Sequence, residues 1–122
     1  MKDEFQFLIY SWAKLNFGSV ASKREERLLR VLEEALELVQ AGGIDKEKVL
    51  QFADVVYAEP KGLVKEELSD LQLNLYALAE HYYEPLDLLS KQKFARCLER
   101  DREYWQGRQE RKYLNGMSTR CE

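Results

Sequence analysis

The sequence predicts an all-α fold, a bundle of four to five helices. Three observations carry that expectation. From Arg27 to Ala41 the chain has no Gly, no Pro and mostly good helix formers. Within it Leu28, Leu32, Leu36 and Val39 recur at steps of four, four and three, an apolar helical stripe. A second stripe runs through Val64, Leu68, Leu71, Leu75, Leu78 and Tyr82 at the same spacings. Nowhere does the chain show strand-like alternation or a repeat of useful period.

In chain order, residues 4–16 fit a helix with Phe5, Leu8, Ile9 and Trp12 inward, ended by Asn16-Phe17-Gly18-Ser19. Ser22 followed by Glu25 predicts a capping box for the central helix, and Gly42-Gly43 predicts its end. Asp45 is a natural N-cap for a short helix to about Tyr57, with Val49, Phe52, Ala53 and Val56 on one side. Ala58-Glu59-Pro60-Lys61-Gly62 is a loop, because Pro60 cannot donate and pushes Glu59 out of helical geometry. The helix from about Leu63 to Tyr82 adds Leu73 and Tyr76 to its stripe, so it is expected to be buried on most sides. Glu84-Pro85 ends it and opens a last helix to about Trp105. Residues 1–105 read as one domain. Residues 106–122, polar and holding Gly107 and Gly116, read as a frayed helix and a loose tail, or an arm ordered by a partner.

Composition narrows the function. At 122 residues the chain suits a single modest core, with 45% hydrophobic and 34% charged residues. Its apolar runs are too short to span a membrane, and its acidic start is unlike a signal peptide. Only Cys97 and Cys121 are present, which suits reduced thiols and a cytoplasmic setting. A formal charge of -3 argues against general nucleic-acid binding but leaves room for a small anion held through a metal.

The chemistry sits in the acids. Arg27, Arg30, Glu34 and Glu37 follow one helical line, and Glu67 and Asp70 stand three apart on the later helix. A lone Glu-x-x-Glu usually marks a solvated face or ion pairs with neighbouring arginines. Glu67, Asp70, Asn74, Ala77 and His81 form a further line among leucines, and carboxylates buried there need a cation opposite. Four carboxylates on two helices exceed what Arg27 and Arg30 would neutralise. Hard oxygen donors without Cys or His partners favour Mg2+ or Mn2+ over zinc. His81 is the single histidine and reads as a helix-end residue, so a di-iron bundle and Ser/His/Asp or Cys/His nucleophile sets are unsupported. No Walker A or Gly-x-Gly-x-x-Gly pattern occurs.

Glu33-Glu34-x-x-Glu37 followed by Glu67-x-x-Asp70 resembles the signature of the all-α nucleoside triphosphate pyrophosphohydrolases, the MazG-like superfamily. The flanks of the central helix look like the short members found in phages and mobile elements. Trp12, Phe17-Gly18, Tyr57-Ala-Glu-Pro-Lys-Gly62 and Lys93-Phe94-x-Arg96 are similar to that group as well, so the likeness spans roughly residues 5–100.

The resemblance implies Mg2+-dependent hydrolysis of a (deoxy)nucleoside triphosphate to the monophosphate and pyrophosphate. Glu34, Glu37, Glu67 and Asp70 would hold the metal, with Glu37 or Glu33 orienting the attacking water or taking its proton. Lys93 and Arg96 would meet the β and γ phosphates. Arg30 and Asn74 would bind substrate, and Trp12 would stack on a base or pack in the core. It implies a homodimer or homotetramer too. The rival expectation is a non-catalytic helical interaction protein whose acids pair with Arg27, Arg30, Lys93 and Arg96.

Overall fold

A computed structural model describes residues 3–118. Among these residues there are six α-helices and no strand. The chain divides into two compact units where one domain is expected from sequence. The first holds the chain up to Gly43 together with the segment from Cys97 onward, and the second runs from Ile44 to Arg96.

The first unit contains α1 (Glu4–Phe17), a 3-10 turn (Ser19–Ser22), α2 (Arg24–Ala41) and α6 (Arg102–Leu114). Helix α1 starts on Asp3, whose carboxylate accepts from the Gln6 N–H at 2.9 Å. It ends at Gly18, whose φ of 82° only glycine adopts readily. Helices α1 and α6 pack together, and the 3-10 turn packs on both α1 and α2. Their small core consists of Ala13, Val20, Ala21 and Trp105, joined by buried Asn16, Glu26 and Gln109. Trp105 stands edge-on to Trp12 at 5.1 Å and to Phe17 at 5.7 Å, an arrangement aromatic quadrupoles favour.

Several expectations fail here. The capping box does not form: the Ser22 hydroxyl donates to the Ser19 carbonyl within the 3-10 turn, and Lys23 starts α2 without a side-chain cap. Leu8 and Ile9 are exposed, as are Leu28, Leu32 and Leu36 of the central stripe. The one fully buried side chain of α2 is the charged Glu26. The segment after Trp105 is helical to Leu114 and carries buried Gln109, so it belongs to this unit's core instead of forming a loose tail. Cys97 is a half-buried free thiol, whereas Cys121 lies outside the described residues.

The second unit contains α3 (Lys46–Tyr57), α4 (Val64–His81) and α5 (Leu86–Cys97). Asp45 caps α3 as the sequence predicts, accepting from the Lys48 N–H at 2.9 Å. The apolar faces of this unit are open. No residue of α3 or α4 is buried, and Phe94 is the buried residue of α5. Helix α4, expected to be enclosed on most sides, leaves Leu68 61% and Leu73 67% exposed. The periodicity is real, but the apolar stripe is not buried within this unit. His81 is the last residue of α4, edge-on to Tyr82.

Candidate functional site

Helix α2 carries Glu26, Arg30, Glu33 and Glu37 in one stripe at steps of four, three and four, with Glu34 beside it. Glu26 and Glu33 meet residues of α6, and Arg30 stands between them. The Arg30 guanidinium lies 3.1 Å from Glu26 through Nε and 3.0 Å from Glu33 through Nη1. From α6, Lys112 Nζ reaches Glu33 at 3.0 Å, and the Gln109 side-chain amide donates to Glu26 at 3.3 Å. Ser118 donates to the other Glu26 oxygen, and Arg30 donates to the Met117 carbonyl. Each buried charge here has a countercharge, which is the condition under which burial is tolerated. Arg27, beside them, has a pKa lowered by burial, and its Nε has no hydrogen-bond partner among the described residues.

Further along the helix Glu34 and Glu37 stand one turn apart, both exposed. Partial burial raises the Glu34 pKa above its ordinary value. The negative charges of Glu37 and Glu33 push it the same way, against the weaker pull of Lys112. A carboxylate raised in this way weakens the fold at neutral pH. Its contribution to stability is full below about pH 4.5, the ordinary value, and is lost as pH rises through the folded-state value. Glu34→Gln, without metal, is therefore expected to melt at or slightly above wild type at pH 7. That advantage should disappear by pH 4, as thermal melts at the two pH values will show; a clear loss of stability at pH 7 contradicts it.

The second unit supplies Glu67 and Asp70 on α4 and Lys93 and Arg96 on α5, all exposed. Asp70 and Asn74 are not enclosed by leucines as the sequence suggests, so burial does not require a cation beside them. Asn74 donates from its side chain to the Asp70 carbonyl at 2.9 Å, within its own helix. Glu67 folds back over the loop before α4. A Cβ built on Gly62 would lie 2.5 Å from its Oε1. Gly62→Ala is expected to displace the Glu67 carboxylate while changing stability by less than about 0.5 kcal/mol, because a flexible side chain gives way. Calorimetric Mg2+ titration beside a urea melt checks both halves.

The expected metal ligands are thus divided, Glu34 and Glu37 in one unit, Glu67 and Asp70 in the other. Among the described residues no three His, Cys, Asp or Glu form a ready-made metal cluster. Trp12 lies against Phe17 and Trp105, in the core role its spacing allows. A cavity of about 220 Å3 on α6 is lined by Gln106, Gln109, Glu110 and Tyr113, none of them an expected site residue. Sequence reasoning missed Glu26, Gln109 and Lys112. The three-residue step between Gln109 and Lys112 puts them on one face of α6, but a polar pair carries no burial signal. No protein family, no curated protein and no solved structure matches this chain.

Proposed function

We propose that this protein is a Mg2+-dependent nucleotide pyrophosphohydrolase of the MazG-like type. It would cleave a (deoxy)nucleoside triphosphate between the α and β phosphates and serve nucleotide-pool housecleaning in the cytoplasm. The observation that carries the reading is the Glu34–Glu37 pair. Two carboxyl groups stand one helical turn apart, and partial burial and the charges of Glu37 and Glu33 raise the Glu34 pKa above its ordinary value. A hard divalent cation relieves that repulsion, and an all-oxygen donor set suits Mg2+ or Mn2+. Glu34, Glu37, Glu67 and Asp70 are the residues assigned to hold it, and the assignment requires the acids of α2 and α4 to act together. When bound, the metal neutralises phosphate charge and makes water a better nucleophile.

The chain's own residues do the remainder. Glu33 or Glu37 orients the water. Lys93 and Arg96, three apart on one face of α5, receive the pyrophosphate end. Asn74 contacts substrate, whereas Arg30, expected from the sequence to do so, is engaged by Glu26 and Glu33.

Self-association, as a dimer or tetramer, is part of the proposal. What supports it is the apolar surface of the second unit, where no residue of α3 or α4 is buried and Leu68 and Leu73 are exposed.

A specific observation favours the rival reading, a non-catalytic helical module. Glu33 and Glu26 are already paired with Arg30 and Lys112. The readings separate on metal and product. The proposal predicts pyrophosphate release from a nucleoside triphosphate with Mg2+ and none in EDTA. The rival predicts no turnover with any of them.

A further inference from the structure

Glu33 is held by one oxygen. Arg30 Nη1 and Lys112 Nζ both stand 3.0 Å from its Oε1. No hydrogen bond or ion pair among the described residues engages Oε2. The three side chains are only 15%, 22% and 11% exposed for Arg30, Lys112 and Glu33. The clamp has a rigid base. Arg30 is fixed in turn by Glu26, which is fully buried and also takes the Gln109 amide. Glu34 is the next residue on the same helix, and Glu37 stands one turn beyond Glu33 on the same face.

We propose that Lys112, together with Arg30, is a positioning residue that clamps Glu33 by Oε1 and leaves Oε2 to accept a hydrogen bond from the attacking water. This rests on the pyrophosphohydrolase reading above. Two donors on one oxygen fix the torsion of the carboxylate, so its ordering cost is met in folding and not at the moment of reaction. Helix α6 thereby becomes part of the site. A lysine outside the acid motif, 79 residues from Glu33, completes it.

The test uses the full chain with Lys112→Ala, Lys112→Arg and Glu33→Gln, a nucleoside triphosphate with Mg2+, and a pyrophosphate assay. Lys112→Ala is expected to lower kcat by about tenfold, the scale of a lost orientation effect, with KM and calorimetric Mg2+ affinity within about twofold of wild type. Lys112→Arg should recover most of the rate, and Lys112→Ala should add nothing in the Glu33→Gln background. In metal-free protein the Glu33 carboxyl-carbon NMR signal should move in Lys112→Ala and return in Lys112→Arg. Should Lys112→Ala fail to fold, Lys112→Gln keeps the stem and takes its place. Wild-type kcat in the Ala or Gln variant, or an undiminished further loss in the Glu33→Gln background, overturns the clamp alone. A wild type that releases no pyrophosphate overturns the enzyme reading and the clamp with it.

Discussion

Glu34→Gln, Glu37→Gln, Glu67→Gln and Asp70→Asn are each expected to lower kcat by about a hundredfold or more, because each removes one oxygen donor from the proposed Mg2+ site. The four changes keep shape and remove only charge, so a loss of rate is not a loss of packing. Their stability separates the two readings. In the proposed enzyme the carboxylates repel one another without metal. Asp70→Asn should then be inactive, at least as stable as wild type in EDTA, and less stabilised by added Mg2+. Asp70 is exposed, so its loss removes no buried contact. Full activity in any two of the four variants sinks the metal site. A marked drop in melting temperature for Asp70→Asn in EDTA, with no response of wild type to Mg2+, favours the interaction module.

Arg30→Ala is expected to destabilise the protein by about 3–5 kcal/mol, the cost of leaving a buried charge without its partner. Glu26 is 0% exposed and is met by Arg30 at 3.1 Å, so removing the guanidinium strands a carboxylate that water cannot reach. Among the described residues, Gln109 and Ser118 are neutral donors to Glu26, and Arg27 nearby makes no ion pair with it, so none of them replaces the Arg30 contact. Against a total stability of about 5–15 kcal/mol for a typical domain, that is a large fraction. Replacing both residues with apolar side chains of similar volume should recover most of the loss, as buried ion pairs commonly do. Urea unfolding of the single and double variants measures this, and a loss below about 1 kcal/mol for Arg30→Ala contradicts a buried pair.

The helices themselves were readable. Periodicity located α1 to α5, but the helix expected to run from Pro85 to about Trp105 ends at Cys97 and a separate α6 starts at Arg102 on its Asp101 cap; Asp45 marked the start of α3, and Gly42-Gly43 marked the end of α2, where Gly43 takes a φ of 93°. Burial was not readable, for a physical reason. An apolar stripe such as Leu28, Leu32 and Leu36 says that a face prefers to be covered, not that this chain covers it. The core of the first unit is built instead from small residues, a tryptophan and a buried ion pair, which leave little periodic signal. Helix α6 was read as a tail because Gly107 interrupts it and its buried members, Trp105 and Gln109, include a polar one. The acids of the candidate site were legible as spacing on α2 and α4. Their partners were not, because Lys112 reaches Glu33 through tertiary packing that spacing cannot encode. The capping box failed because Ser22 had a nearer acceptor in Ser19, a competition between local hydrogen bonds that sequence does not rank.

The central claim, that the acids of α2 and α4 serve a metal-dependent phosphoanhydride hydrolysis, is tested most directly by product analysis. The purified protein, incubated with a panel of ribo- and deoxyribonucleoside triphosphates, should release pyrophosphate and the matching monophosphate from at least one of them. Release should depend on Mg2+ or Mn2+, stop in EDTA, and fall by about a hundredfold in Glu37→Gln. Stepwise release of orthophosphate, or no turnover of any triphosphate with either metal, contradicts the account.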